Sequence, residues 1–272
     1  MAQAATASRK PPLWAWIKRR ILPVYMVVAL TYLFMPVAIV ILFSFNDHQG
    51  RYNFTWQGFT LDHWQNAFGV PRLFDSLVTS LQIAFISSAI ATLLGTLIAL
   101  ALVRYRFRGR SATNLGLFLP MATPEVVMGS SLLALFIVLG VARGFATVVI
   151  AHIMFNISYV VVTVKARLAG FDRHLEEAAM DLYANEWTTF RKVTLPMILP
   201  GVMAAFLLGF ALSFDDFIIT NFNSGNTITF PLFIWGAARV GVPAQVNVFG
   251  AAIFFITVSI MLLNIRLQRR RA

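Results

Sequence analysis

The chain has 272 residues, of which 58% are hydrophobic and only 12% charged, and its mean hydropathy is +0.74. Soluble domains are about 45–50% apolar and about 25% charged, so this composition indicates an integral membrane protein and excludes a large soluble domain. The net charge of +11 raises the question of a nucleic-acid partner, whereas the absence of cysteine excludes disulfides, thiolate metal sites and cysteine nucleophiles.

Six apolar runs are long enough to form membrane-spanning helices, since about 20 apolar residues cross the hydrocarbon core. Residues 1–20 form a basic N-terminus, and 21–45 form a first span that is too long for the apolar region of a signal peptide. An external polar loop, 46–75, precedes a five-helix core, 76–265, and a basic tail, 266–272. The core spans are predicted at 76–103, 115–139 (interrupted early by LPMATPE), 145–164, 197–220 and 246–265. The runs are continuous rather than alternating, so an all-α membrane protein is expected.

Lysine and arginine residues mark one end of each span and thereby predict the orientation. With six spans and the N-terminus inside, the cytoplasmic segments hold 18 of the 22 basic residues, leaving only Arg51, Arg72, Arg143 and Arg239 outside. Cytoplasmic loops carry such an excess. Both termini and the loop 166–195 are therefore expected in the cytoplasm, and the basic charge is explained without nucleic acid.

The stretch HLEEAAMDLYANEWTTFRKVTLPMILPG, from His174 to Gly201, is unusually polar for this chain. Its apolar residues recur at helical spacing from Leu175 to Phe190, which predicts an amphipathic helix of about four turns ending before Pro196. The opposite face carries Glu176, Glu177, Asp181 and Glu186. A helix lying on the inner leaflet is one interpretation. Because such helices favour a Lys/Arg-rich polar face, the acidic face here favours a protein partner.

This stretch resembles the "EAA" signature of the permeases of ABC importers. The matching residues are Glu177, Ala178, Ala179, Asp181, Leu182, Ala184, Phe190, Val193, Leu195, Pro196, Pro200 and Gly201. The resemblance implies a type I importer fold with six transmembrane helices, in which a cytoplasmic coupling helix docks in a groove of a separate ATPase subunit. For that contact it implies Glu177, Ala178, Ala179, Asp181, Leu182, Ala184, Phe190 and Pro196. The family usually has glycine where this chain has Tyr183, which bears on the local backbone shape or on the fit to the partner.

No nucleotide site or enzyme active site is expected in the chain itself. It lacks a G-x-x-x-x-G-K-[ST] phosphate loop, so ATP and Mg would be bound by the partner ATPase, and no cofactor is expected here. His48, His63, His152 and His174 show no metal-ligand spacing, and no set of nucleophile and base is apparent. A lone histidine in such a chain is usually packed or solvated.

Three carboxylates lie in or beside predicted spans, namely Glu125 and the pair Asp215 and Asp216. An ionisable residue costs roughly 2.5–3.5 kcal/mol inside a membrane, so each is a functional candidate. The plainer interpretations are a helix N-terminus after Pro124 for Glu125 and a solvated span end for the pair. No basic residue lies within the spans to neutralise them, which favours a cationic substrate. Neighbouring rings add possible cation–π contacts, namely Trp235, Phe214, Phe217 and Phe222.

The stretches LPMATPEVVMGSSLLALF and LSFDDFIIT resemble spermidine/putrescine permeases, in particular the shorter of two permeases that pair as a heterodimer. The resemblance implies a bacterial inner-membrane importer of polyamines with an ATPase, a second permease and an external substrate-binding protein as partners, besides membrane lipid. Three alternatives remain: an ABC permease for another solute, a secondary transporter with Glu125 at a broken helix, and a membrane scaffold subunit.

Overall fold

A computed structural model describes residues 13–269, in which the regular elements are helices and the turns and loops between them contain one isolated β-bridge, between Asn46 and Phe59. The predicted basic residues Arg9, Lys10, Arg270 and Arg271 lie outside the described residues. The helices are α1 (Leu13–Phe43), α2 (Asp62–Gln65), α3 (Pro71–Arg104), α4 (Arg110–Ala122), α5 (Glu125–Val138), α6 (Phe145–Ala169), α7 (His174–Asp181), α8 (Glu186–Thr189), α9 (Leu195–Asp215), α10 (Ile218–Asn223), α11 (Phe230–Val240) and α12 (Ala244–Arg269). A π-helical turn, Phe190–Thr194, joins α8 to α9.

Five helical stretches are long and apolar enough to cross a membrane, and the bent pair of α4 and α5 makes a sixth when it is counted as one span. The five are Arg20–Phe43, Pro71–Arg104, Phe145–Ala169, Glu186–Asp215 and Ala244–Leu263. The predicted all-α membrane fold is confirmed. The predicted third span is broken, since α4 and α5 meet at 106° where Thr123 is extended before Pro124. A residue before proline disfavours the helical region, which explains the position of the break.

The described residues form two compact units, residues 71–239 and residues 13–70 with 240–269. In the first unit, α3, α6 and α9 pack on one another around a shared core. Its buried residues include Ala91, Ala99 and Leu102 of α3, Val160, Val161 and Val164 of α6, and Ile198 and Ala205 of α9. Small residues let membrane helices approach closely. A β-carbon on Gly95 would lie 2.6 Å from Cγ1 of Val160, so glycine is required at that contact.

In the second unit, α1 packs against α12, and the loop between α1 and α3 is ordered around a buried asparagine. The Asn46 amide donates to Asn53 Oδ1 at 2.5 Å and to the Thr55 carbonyl at 2.8 Å, and its oxygen accepts the Gln57 N–H at 2.7 Å. Trp64 stacks on Phe45 at 5.4 Å between ring centroids. The predicted polar loop is therefore a folded structure with its own small aromatic cluster.

The four-turn amphipathic helix predicted after Leu175 is not formed. The helix α7 ends at Asp181, and Tyr183 adopts a left-handed conformation with φ of +61°. The chain becomes helical again at α8, whose N-cap is Asn185, because its side chain accepts the Thr188 N–H at 2.8 Å. A capping asparagine and a left-handed residue together interrupt a periodic pattern that would otherwise continue.

The prediction that the helix ends before Pro196 is also wrong, since a continuous helical stretch runs from Glu186 to Asp215. The Leu195 N–H bonds to the Phe190 carbonyl five residues earlier, which makes this a π turn. In a regular α-helix the proline ring collides with the carbonyl four residues back. The wider turn accommodates that ring, so Pro196 lies in the first turn of α9 instead of ending the helix.

Candidate functional site

A pocket of about 530 Å³ lies where α9 ends and α11 begins. Its lining consists of Phe214, Asp215, Phe217, Phe230, Pro231, Ile234, Trp235 and Ala238. Asp215 is the last residue of α9, and its carboxylate is the acidic group in a wall that is otherwise apolar. The structure thus brings together two of the four residues predicted along the substrate path, Asp215 and Trp235.

Aromatic rings surround this carboxylate on two helices. The ring centroids of Phe217 and Trp235 are 5.0 Å apart, and those of Phe214 and Phe230 are 6.2 Å apart. Phe230 was not among the predicted aromatic residues. Phe222 was predicted but packs elsewhere, since a β-carbon on Gly129 would lie 2.8 Å from its ring. Ring faces attract cations, so a carboxylate among several rings forms a receptor for an organic cation.

Trp235 already interacts with a cation of its own helix. The Arg239 guanidinium carbon lies 5.3 Å from the centroid of the Trp235 ring, one turn along α11. Residues four apart on a helix are neighbours, so this contact is local. It demonstrates that the exposed ring face of Trp235 can accept a positive charge in this geometry.

The neighbouring carboxylate, Asp216, points into the protein. Its side chain is only 6% exposed, and Oδ2 accepts hydrogen bonds from the backbone N–H and the hydroxyl of Thr220, both at 2.8 Å. The backbone at Asp216 is extended, which ends α9, and the same side chain satisfies an N–H of the following α10. The structure therefore separates two adjacent carboxylates, with Asp215 at the pocket and Asp216 capping α10.

His152 holds Asp216 from the opposite side. Its Nε2 lies 3.3 Å from Asp216 Oδ2 and 3.0 Å from Thr220 Oγ1, while Nδ1 lies 2.5 Å from Ser213 Oγ. Ser213 in turn bonds to Ser87 Oγ at 2.9 Å. The sequence predicts no basic residue within the spans to neutralise the carboxylates, whereas the structure places His152 of α6 against Asp216. His152, a polar residue in a mostly apolar run, was the available signal for a buried network.

Glu125 is separate from the pocket. It is exposed in the first turn of α5, directly after Pro124 and the 106° bend. This is the helix-N-terminal position that the sequence predicts, where the helix dipole favours a carboxylate. Asp75, in the first turns of α3, lines a second pocket of about 410 Å³ with Arg72, Thr79 and residues 226–228.

The segment of α7 and α8 exposes apolar side chains that would normally be buried. We call this region the α7–α8 surface, and it consists of Leu175, Glu177, Ala178, Met180, Asp181, Leu182, Tyr183 and Trp187, all exposed. An exposed apolar patch rimmed by polar residues marks a site of interaction with a protein or a membrane. Of the predicted coupling residues, Ala179, Ala184 and Phe190 are only partly buried, and Pro196 is exposed. Glu176, expected on the same acidic face, points inward instead, towards Arg104.

The first residue of α7 is His174, an exposed histidine that forms a hydrogen bond with the Asp172 carboxylate. His174 Nδ1 lies 2.7 Å from Asp172 Oδ1, and this hydrogen bond, with the charge of the carboxylate, raises the pKa of His174. The same bond lowers the pKa of Asp172. Asp172 also accepts the His174 backbone N–H at 3.0 Å, so it acts as a local cap for α7.

Comparison with known proteins bears on the whole chain. Residues 91–271 match the family model "Binding-protein-dependent transport system inner membrane component". The spermidine/putrescine transport system permease protein PotC of Haemophilus influenzae is 38% identical over 90% of this chain and 95% of its own length. PotC of Escherichia coli K12 is 42% identical over 82% of this chain and 84% of its own length. The putrescine transport system permease protein PotI of E. coli K12 is 35% identical over 82% of each chain.

Solved structures support the fold. A bacterial ABC transporter involved in the import of the acidic polysaccharide alginate aligns with a TM-score of 0.67 at 15% identity, covering 96% of this chain and 99% of that one. The same kind of alginate transporter, in complex with an alginate-bound periplasmic protein, aligns with a TM-score of 0.65 at 17% identity, covering 95% and 97%. At such identities the likeness concerns the fold alone.

Proposed function

The chain belongs to the family of binding-protein-dependent transport system inner membrane components, and from that premise we propose that it carries putrescine or spermidine into a bacterial cell. It is a permease subunit and not an enzyme. ATP and Mg are bound by a separate ATPase subunit, and the energy of hydrolysis drives alternating access. The observation that carries the choice of substrate is the pocket in which the Asp215 carboxylate faces several aromatic rings.

The chemistry of a polyamine fits this pocket. Each ammonium group needs a carboxylate or a ring face when it leaves water, and Asp215 and Trp235 offer one of each. The methylene chain between the ammonium groups packs on apolar walls, which Phe214, Phe217 and Phe230 provide. In the proposed heterodimer, acceptors for the further ammonium groups come from the second permease.

The α7–α8 surface is the proposed contact with the ATPase. Its exposed Leu182, Tyr183 and Trp187 would be buried in a groove of the ATPase, and Glu177 and Asp181 would meet basic groups at the rim. Placing this surface in the cytoplasm agrees with the excess of lysine and arginine on that side. Both termini are then cytoplasmic, and an external substrate-binding protein delivers the polyamine on the other side.

A secondary transporter remains the competing function, and one observation favours it. The α4–α5 pair is broken and α9 is separated from α10 at Asp216, and discontinuous helices carry substrate and ion sites in secondary transporters. The competing function predicts uptake that needs an ion gradient and no ATP.

Reconstitution tests both proposals. The chain, its paired permease and the ATPase subunits are placed in proteoliposomes with the binding protein, and entry of labelled putrescine and spermidine is followed. We expect uptake that requires ATP and stops when the ATPase carries an inactivating Walker substitution. Uptake that persists with the inactive ATPase would reject the importer, and ATP-dependent uptake of neutral or anionic solutes alone would reject the polyamine.

A further inference from the structure

Three side chains from three separate elements meet beneath α7. Arg104 is the last residue of α3, Glu176 lies in the first turn of α7, and Thr194 is the last residue of the π turn before α9. Arg104 Nη2 pairs with Glu176 Oε1 and also donates to Thr194 Oγ1 at 3.2 Å, and the Thr194 hydroxyl donates to the same Glu176 oxygen. We call these three residues the Arg104 cluster.

The Arg104 cluster is shielded from water. Thr194 is fully buried, and the side chains of Glu176 and Arg104 are only 16% and 28% exposed. An ion pair at this depth is screened less than one on the surface, and losing one partner leaves the other charge poorly solvated. The contact is therefore stronger than the surface pairs that the other arginines of the RYRFRGR stretch would make.

The cluster is the attachment of α7 to the long helices. Within the described part of the chain, α7 has no buried residue, so packing alone fixes it poorly. Glu176 bonds it to the end of α3 through Arg104 and to the start of α9 through Thr194. The Arg173 guanidinium adds a long hydrogen bond of 3.5 Å to the Val103 carbonyl, in the same turn of α3.

The helices held by the cluster lead to the pocket. With α6, α3 and α9 share a close-packed core, and α9 ends at Asp215. Close-packed helices move as rigid bodies, so a displacement of α7 is passed to α3 and α9 together only while all three residues remain joined. The π turn matters here, because the extra residue per turn sets the direction in which Thr194 projects.

We propose that Arg104 is a positioning residue for energy coupling, which transmits movement of α7 to α3 and α9 through Glu176 and Thr194. This rests on the proposed function, since it assumes that an ATPase moves α7. Arg104 does not line the substrate pocket and is not itself part of the α7–α8 surface, although it lines a cleft with two residues of that surface, Glu177 and Met180. Loss of the Arg104 cluster should therefore leave docking and substrate binding in place while separating hydrolysis from transport.

Charge reversal in the reconstituted transporter tests the proposal. Arg104→Glu and Glu176→Arg each place two like charges together, and we expect the number of polyamines carried per ATP hydrolysed to fall about fivefold to tenfold, within the range of typical coupling energies. The double variant, Arg104→Glu with Glu176→Arg, restores the pair, and the Thr194 hydroxyl can still donate to the carboxylate and accept from the guanidinium. We expect it to recover most of the wild-type ratio.

A matched control comes from the same stretch. Arg106 is exposed and lies two residues from Arg104, so Arg106→Glu makes the same change in charge and should leave the ratio unchanged. Thr194→Val removes the hydroxyl without changing charge or shape and should lower the ratio by a smaller factor. If a charge reversal prevents assembly, the Thr194→Val variant still tests the proposal.

The proposal would be overturned by a wild-type ratio in Arg104→Glu and Thr194→Val, or by a double variant as defective as the single ones. A loss of co-purifying ATPase in Thr194→Val would also overturn it, since the cluster would then serve assembly. Failure of the proposed function is recognised separately, because the wild-type transporter itself would then show no ATP-dependent uptake of polyamine.

Discussion

Tyr183 holds a backbone conformation that is costly for any residue with a β-carbon. Its φ is +61°, and its side chain is 99% exposed, so no contact within the described chain offsets the strain. The left-handed conformation costs roughly 1–2 kcal/mol for an L-residue other than glycine. We expect Tyr183→Gly to raise the free energy of unfolding of the solubilised permease by about 1 kcal/mol, measured by denaturation in detergent.

Tyr183→Val is the control for this prediction. Valine is β-branched and disfavours positive φ strongly, so Tyr183→Val should lower the free energy of unfolding relative to the wild-type permease, whereas Tyr183→Gly should raise it. Equal effects of the two substitutions would contradict the assignment of strain to this residue. If tyrosine is retained for a contact with the ATPase, Tyr183→Gly should stabilise the permease and weaken the complex.

Asp215 and Asp216 are adjacent, yet their substitutions should differ. Asp215→Asn removes the negative charge from the pocket but should leave assembly normal. We expect KM for putrescine uptake to rise about tenfold or more, because the loss of a hydrogen bond to a charged group has an effect of that size.

Asp216→Ala removes a helix cap and should lower the free energy of unfolding by about 1–2 kcal/mol. Uptake kinetics and denaturation of the same two preparations check both. The reverse assignment of effects would contradict the separation of the two carboxylates.

His152 should be a stability residue because its side chain is 1% exposed and its partners are buried. His152→Phe removes one hydrogen bond from each of Ser213, Thr220 and Asp216, and a hydrogen bond contributes about 0.5–1.5 kcal/mol to stability. We expect the melting temperature of the permease to fall accordingly. His174→Phe is the control, since that histidine is exposed and should change stability little. Equal melting temperatures for the two variants would show that the buried network contributes nothing.

At the scale of elements, the acidic rim of the α7–α8 surface is open to direct test. Glu177 is exposed, so Glu177→Lys should insert and fold normally, but it places a positive charge where the ATPase is expected to carry basic groups. We expect the ATPase to be lost from the purified complex, as judged by co-purification. Arg106→Glu is again a suitable control for a change in surface charge. Normal recovery of the ATPase with Glu177→Lys would contradict the role given to the acidic face.

Sequence periodicity locates elements better than it locates their ends. The 3.6-residue pattern from Leu175 to Phe190 correctly marks a helical, partly exposed segment. The pattern gives no sign of the helix break at Tyr183, because Leu182 and Tyr183 occupy positions that suit the same helical face. The break depends on one backbone angle and on the cap at Asn185. Likewise, the proline rule that places the bend before Pro124 fails at Pro196, where a π turn accommodates the ring.

The pocket could be predicted only in part for a similar reason. Asp215 is visible near the end of a predicted span and Trp235 in the stretch that follows it, and the structure places both at one pocket. Which of two adjacent aspartates faces the pocket depends on the extended backbone at Asp216 and on His152, some sixty residues earlier in the chain. Contacts between distant helices are not encoded in local spacing.

At the scale of the whole molecule, the orientation of the chain depends on whether the bent pair of α4 and α5 crosses the membrane. If it crosses, the loop at Arg108 and the loop at Arg143 lie on opposite sides, and the basic residues are cytoplasmic as the charge distribution requires. If it enters and returns, these two loops lie on the same side and the α7–α8 surface faces away from the Arg108 loop, which the ion pair between Arg104 at the end of α3 and Glu176 of α7 contradicts. The first arrangement is the one that our proposed function needs.

The absence of cysteine makes this question easy to test, since any thiol label must report an introduced site. Arg108→Cys, Arg143→Cys and Lys192→Cys each replace an exposed basic residue in a different loop. In intact cells, a membrane-impermeant maleimide should label the cysteine at 143, whereas those at 108 and 192 should react only after the membrane is permeabilised. Equal protection of 108 and 143, with 192 labelled from outside, would mean that α4 and α5 form a re-entrant pair. The proposed docking of the α7–α8 surface with a cytoplasmic ATPase would then be untenable, because that surface would lie outside the cell.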